Sequence, residues 1–188
     1  MGLKPILPPS GAKCFSEFCV TAWRRNGVNM LFWILICAVV VILDQITKWL
    51  AVKYLIPIGT LPIIKDVLHL TYVENPGAAF GMMKNSRWIF LVISSVAIIG
   101  IIIYLIKFAP KNRLCQLSLA FILGGGIGNM IDRLALGYVV DFIDFRLINF
   151  AVFNVADSFV CVGAALLIIY VLFIDGKENK KIEVEKNG

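Results

Sequence analysis

Residues 88–106 read WIFLVISSVAIIGIIIYLI, nineteen positions without a charged side chain. At a helical rise of about 1.5 Å per residue, such a run covers roughly the 30 Å hydrocarbon core of a bilayer. Three further runs have the same character: about Val28 to Leu50, Leu114 to Leu134, and about Asp157 to Ile174. The pattern predicts an all-α membrane protein with four transmembrane helices. The whole chain agrees: its 188 residues are 60% hydrophobic and 16% charged, with mean hydropathy +0.87. Soluble domains are nearer half apolar and a quarter charged.

Between and beside these runs the chain changes character. Residues 1–29, with Pro5, Pro8 and Pro9, read as a poorly ordered cytoplasmic leader, and 176–188 as a charged cytoplasmic tail. Arg24-Arg25 before the apolar stretch Leu31–Leu43 has the outline of a signal peptide. No small-x-small cleavage signal follows, so the stretch is expected to stay as the first span. The net charge of +6 does not point to nucleic acid, because Lys and Arg cluster beside the apolar runs. The leader, the connection 107–113 and the tail hold eleven of the 18 basic residues, which predicts both termini on the cytoplasmic side.

That orientation puts 51–87 and 135–153 outside. Leu68, Leu70 and Tyr72 alternate with His69, Thr71 and Val73, and Val139–Phe145 alternates too, so each suits a strand. Asn75-Pro76-Gly77 punctuates the first as a turn. A small β-rich platform at the outer headgroups is expected. The five cysteines are scattered; Cys37, Cys115 and Cys161 are expected to pack as small hydrophobes, and Cys14 and Cys19 form no metal-ligand spacing. A single histidine, His69, excludes a His-based triad or a His-rich metal site unless it acts alone.

Polar residues at the span ends are the candidates for chemistry. Asp44 and Lys48 are four apart, acid first, and suit either a structural ion pair or substrate binding. Gly124, Gly125, Gly126 and Gly128 permit close helix packing. Asn129 and Arg133 share a face at the end of the third span, where they can grip carbonyls or a phosphate, or simply reach the headgroups. Asp132 is expected on another face. Asp157, three residues after Asn154, sits where a carboxylate also caps a helix. Topology brings Asp141 and Asp157 to the same membrane edge, and two carboxylates sharing one proton can activate water against an amide. A transporter or channel would hold such groups near the midplane.

Five blocks occur in order: Asp44-Gln45-Ile46-Thr47-Lys48, Asn75-Pro76-Gly77-Ala78-Ala79-Phe80-Gly81, Gly128-Asn129-Met130-Ile131-Asp132-Arg133-Leu134, Val139-Val140-Asp141-Phe142-Ile143-Asp144-Phe145 and Phe153-Asn154-Val155-Ala156-Asp157-Ser158. Over about residues 30–175 the chain resembles the prolipoprotein signal peptidase family, also called signal peptidase II. The resemblance implies an aspartic endopeptidase of the bacterial cytoplasmic membrane that cuts before a diacylglyceryl-modified cysteine. It implies Asp141 and Asp157 as the catalytic pair. Asn75, Gly77, Gly128, Asn129, Arg133 and Asn154 would line the cleft or orient the pair, with Asp44 and Lys48 in support. It further implies lipid-modified prolipoproteins and membrane lipid as partners, with no metal or organic cofactor, and the chain is expected to be a monomer.

Overall fold

The computed structural model describes residues 30–77, 87–108, 110 and 112–176. The expected leader, most of the charged tail, Cys14, Cys19 and the end of the Asn75–Gly81 block lie outside the described residues. Among the described residues, four helices are long and apolar enough to cross a membrane. They are α1 (Met30–Leu55), α2 (Arg87–Phe108), α3 (Arg113–Ala135) and α4 (Val155–Tyr170), the last running on through a π-helical turn, Val171–Asp175. A three-stranded antiparallel sheet of β1 (Thr60–Ile64), β2 (Leu68–Asn75) and β3 (Val139–Phe145) sits at one end of the bundle, in the order β1-β2-β3.

The third helix is central, packing against each of the other three. Its glycines make this possible. A Cβ on Gly124 would strike Val40 of α1, one on Gly125 the Ala156 carbonyl of α4, and one on Gly128 the Asp44 carboxylate. Gly163 of α4 faces the Ser118 carbonyl in return. Without side chains there, backbones approach closely enough for dispersion to hold the helices in lipid, where no hydrophobic force draws them together. An apolar core of Trp33, Cys37, Cys115, Leu119, Leu123 and Tyr170 fills the bundle away from the sheet. α2 is the peripheral helix; only Leu91 and Leu105 of it are buried.

α1 continues one turn beyond the predicted end at Leu50. Ala51 and Leu55 are buried against Val140 and Phe142, so packing on β3 extends the helix past its membrane run. Gly59 and Gly137, at φ of +73° and +90°, then turn the chain into β1 and β3. The predicted strands are present, with an extra residue bulged on β2 between Leu70 and Val73. Val73 thereby pairs with Asp141 and Asn75 with Val139. β1, with Pro62, is an exposed edge strand that the alternation did not signal.

After β3 the chain folds back on itself. Ile143 N–H donates to the Phe153 carbonyl at 2.8 Å, and Phe153 N–H donates to the Ile143 carbonyl at 3.1 Å. This bridge sets Asn154, the first capping residue of α4, beside Asp141.

Candidate active site

Asp141 is 1% exposed, and both of its oxygens are held. Asn154 Nδ2 donates to Oδ1 at 2.7 Å and Asn75 Nδ2 donates to Oδ2 at 2.9 Å. Asn75 is placed by its own turn, in which its Oδ1 accepts from Gly77 N–H at 3.0 Å. Asp157 lies in the first turn of α4, two residues inside the helix start at Val155, which precedes the predicted start at about Asp157. There it forms a capping box. Asn154 Oδ1 accepts from Asp157 N–H at 2.9 Å, and Asp157 Oδ2 accepts from Asn154 N–H at 3.3 Å. Its other oxygen, Oδ1, accepts from Asn129 Nδ2 at 2.7 Å. Capping and site membership, alternatives on sequence grounds, coincide in one residue.

The two asparagines join the carboxylates. Asn154 Nδ2, besides holding Asp141, donates to Asn129 Oδ1 at 3.0 Å. Asp141 and Asp157 both line one cavity of about 470 Å³, together with Asn75, Gly77, Asn129 and Arg133. Burial pushes the Asp141 carboxyl up to about 6. The Asn75 donor opposes that rise, the Asp157 charge adds to it, and the Asn154 donor and Lys48 charge again oppose it.

The Arg133 guanidinium reaches into this cavity, 5.3 Å from the Phe90 ring, and donates to the Asn129 and Gly77 carbonyls at 3.3 and 3.5 Å. Among the described residues no carboxylate lies within ion-pair distance of it. Gly128 and Asn154 stand behind the cavity wall rather than on it. Asp44 and Lys48 are deeper still. Their structural ion pair is present at 2.9 Å, and Lys48, 3% exposed, does not line the cavity.

One expectation is extended and one needs correction. Asp132 is off the cavity wall, as expected, but it faces α1, 2.9 Å from Lys48 Nζ, and accepts from Gln45 Nε2 at 3.0 Å. Asn129 and Asp132 are three apart and therefore neighbours on a helix, a signal the spacing carried. Cys161 does not pack inside like Cys37 and Cys115. It is exposed and lines the cavity with Ser158, because both share the helix face of Asp157. Phe90 and the Phe150–Phe153 segment supply much of the remaining apolar wall, and of these only Phe153 falls within one of the five sequence blocks.

Known proteins resemble this chain in sequence and fold. Residues 36–173 match the family described as signal peptidase (SPase) II. A protein named lipoprotein signal peptidase from Caldanaerobacter subterraneus subsp. tengcongensis is 58% identical over 143 residues, covering 76% of this chain and 97% of that one. Another of that name, from Brevibacillus brevis, is 49% identical over 150 residues, covering 80% and 100%. A bacterial membrane enzyme solved by the in meso method superposes with a TM-score of 0.70 at 35% identity, covering 78% of this chain and 96% of that one. Fold and likeness together make this a multi-pass bacterial membrane peptidase of the aspartic class. With the match spanning all four helices, the chain belongs to the signal peptidase II family.

Proposed function

We propose that this chain removes the signal peptide from prolipoproteins whose cysteine already carries diacylglycerol, cutting the bond before that cysteine. The observation that carries this is the pair Asp141 and Asp157, each fixed by an asparagine, on the wall of one largely apolar cavity at the end of a membrane bundle. By the bias of its basic residues the sheet end is the outer face, with both termini cytoplasmic. The signal helix approaches from the lipid, and its lipidated cysteine stays at that interface. The enzyme acts as a monomer within membrane lipid.

In this reading Asp141 holds the shared proton, because burial raises its affinity. Asp157, ionised, takes a proton from a water as the water attacks the scissile carbonyl. Asp141 polarises that carbonyl and its proton then serves the leaving amine. Arg133 holds main-chain carbonyls or lipid ester oxygens, for which its planar set of donors is suited.

The test is a precursor prepared with and without diacylglycerol. Cleavage should release a product beginning at the lipidated cysteine. The unmodified form should be slower by more than about tenfold, since each buried methylene is worth roughly 0.8 kcal/mol. Equal rates on both forms, or a cut elsewhere, would overturn the substrate assignment.

The pH profile follows from the same carboxyl. A raised value means the proton is kept to higher pH and lost above it. Log kcat/KM should therefore fall on the basic side from about pH 6, the free-enzyme value. Substrate excludes water from the cavity and favours the neutral acid further, so the basic limb of kcat should lie higher. Flat kcat/KM from pH 5 to 9 would remove Asp141 as the acid.

A further inference from the structure

Behind the cavity lies a second polar cluster, centred on a buried cation. A lysine ammonium has three N–H donors and no acceptor. Lys48 directs them to Asp44 Oδ2 at 2.9 Å, Asp132 Oδ2 at 2.9 Å and Asn129 Oδ1 at 2.8 Å. Each of those three contacts leads to the aspartates. Asp44 Oδ1 accepts from Ala156 N–H at 3.0 Å, and Ala156 immediately precedes Asp157. Asp132 Oδ2 accepts from Val140 N–H at 3.1 Å, and Val140 immediately precedes Asp141. The two acids paired with Lys48 thus tether the backbones that carry the two site carboxylates.

The third contact acts on the side chains. Because Lys48 can only donate, Asn129 must present its oxygen to Lys48 and its amino group to Asp157. A flipped Asn129 would set its amino group against the ammonium and against Asn154 Nδ2, and its oxygen against Asp157. Asn154 Nδ2, donating to the same Asn129 oxygen and to Asp141 Oδ1, carries that polarity to the second aspartate.

We infer that Lys48 is a positioning residue for the peptidase reaction, holding backbone and carboxyl group of both Asp141 and Asp157 through Asp44, Asp132 and Asn129. It touches neither cavity nor substrate, so its effect belongs in the chemical step rather than in binding. The inference rests on the reading of Asp141 and Asp157 as the catalytic pair.

Removing one member of a buried ion cluster strands the others, whereas neutralising all of them is tolerated far better. Two proteins therefore test the inference: Lys48→Met, and the uncharged triple variant Asp44→Asn/Lys48→Met/Asp132→Asn. In the triple variant the amide oxygens still accept from Ala156 and Val140, but nothing donates to Asn129 from its far side. Folding is followed by thermal melting in detergent, and kcat and KM with a lipid-modified precursor. Whichever variant is recovered folded should lose about 100-fold in kcat, the scale of a misplacement of about 1 Å, with KM within about twofold. A folded triple variant with wild-type kcat would reduce Lys48 to charge balance and overturn the inference. A KM rise with kcat unchanged would overturn it in favour of substrate binding, and failure of both variants to fold would assign Lys48 to assembly alone. Asp157→Asn run in the same assay separates the two readings: activity there sinks the catalytic pair, whereas inactivity there beside a fully active triple variant sinks only the role of Lys48.

Discussion

Asp157→Asn and Asp141→Asn proteins should each cleave lipid-modified precursor at least about 10⁴-fold more slowly than wild type, because residues that share one proton act as a unit. Asparagine keeps the shape but neither takes a proton from water nor delivers one to the departing amine. The two variants should differ in stability, which separates lost chemistry from lost fold. At 157 one oxygen accepts from Asn129 and the other closes the capping box with the Asn154 N–H. An amide serves only one of these, so Asp157→Asn should cost about 1 kcal/mol, as a weakened cap does.

At 141 the sign reverses. The carboxyl moves from 3.8 to about 6 on folding, so the native state holds its proton more tightly than the unfolded chain. The resulting penalty is absent below pH 4, grows between 4 and 6, and above 6 is on the order of 3 kcal/mol. Asparagine has no such penalty, although it leaves one donor less well satisfied. Asp141→Asn should therefore melt at least as high as wild type at pH 7, with its relative advantage shrinking as the pH falls toward 4. Wild-type turnover in either variant would remove the pair from the mechanism. A large loss of melting temperature at pH 7 in Asp141→Asn would instead show that the charge is needed for folding.

The second large effect should come from a single methyl group. A Cβ at Gly125 would run into the Ala156 carbonyl and come within 2.7 Å of Val160 Cγ2. A carbonyl in the first turn of a helix cannot rotate aside, so α3 and α4 must separate. Overpacking of this kind costs about 1–3 kcal/mol, and an unyielding backbone puts Gly125→Ala at or above the top of that range. The displaced turn carries Asp157, so kcat/KM should fall about 100-fold as well. Gly100 in α2 is the control. A Cβ there has nothing within 4 Å, and alanine favours a helix by about 1 kcal/mol, so Gly100→Ala should melt no lower than wild type. Equal melting and equal rates for the two alanine variants would refute close packing at Gly125.

Much of this architecture was legible in the chain, for identifiable reasons. Uninterrupted apolar runs announce spans because lipid admits few other sequences, and the alternation at 68–73 and 139–145 located two of three strands. What escaped notice depends on partners rather than on local pattern. α1 runs on to Leu55 because β3 covers Ala51 and Leu55, and β1 exists because β2 offers it an edge. Within the site, Asp141, Asp157, Asn129 and Asn154 carry recognisable motifs. Asp132 neighbours Asn129 by spacing, but its partner Lys48 on α1 is fixed by helix docking. Phe90 and Cys161 shape the cavity by helix phase alone, a quantity no short motif records.

The bonds of the polar cluster join distant parts of the chain: Asp44 meets Ala156 across 112 positions, and Lys48 meets Asn129 across 81. The Lys48–Asn129 bond joins α1 to α3, but no fragment ending before α4 can supply Ala156 or Asp157 and complete the set. If Asp157 is half of the catalytic pair, as proposed, a nascent copy still threading its helices into the bilayer one by one has no working cutting centre. A protein-cutting enzyme born among other membrane chains is in this way harmless to its neighbours, and to itself, until its final helix docks.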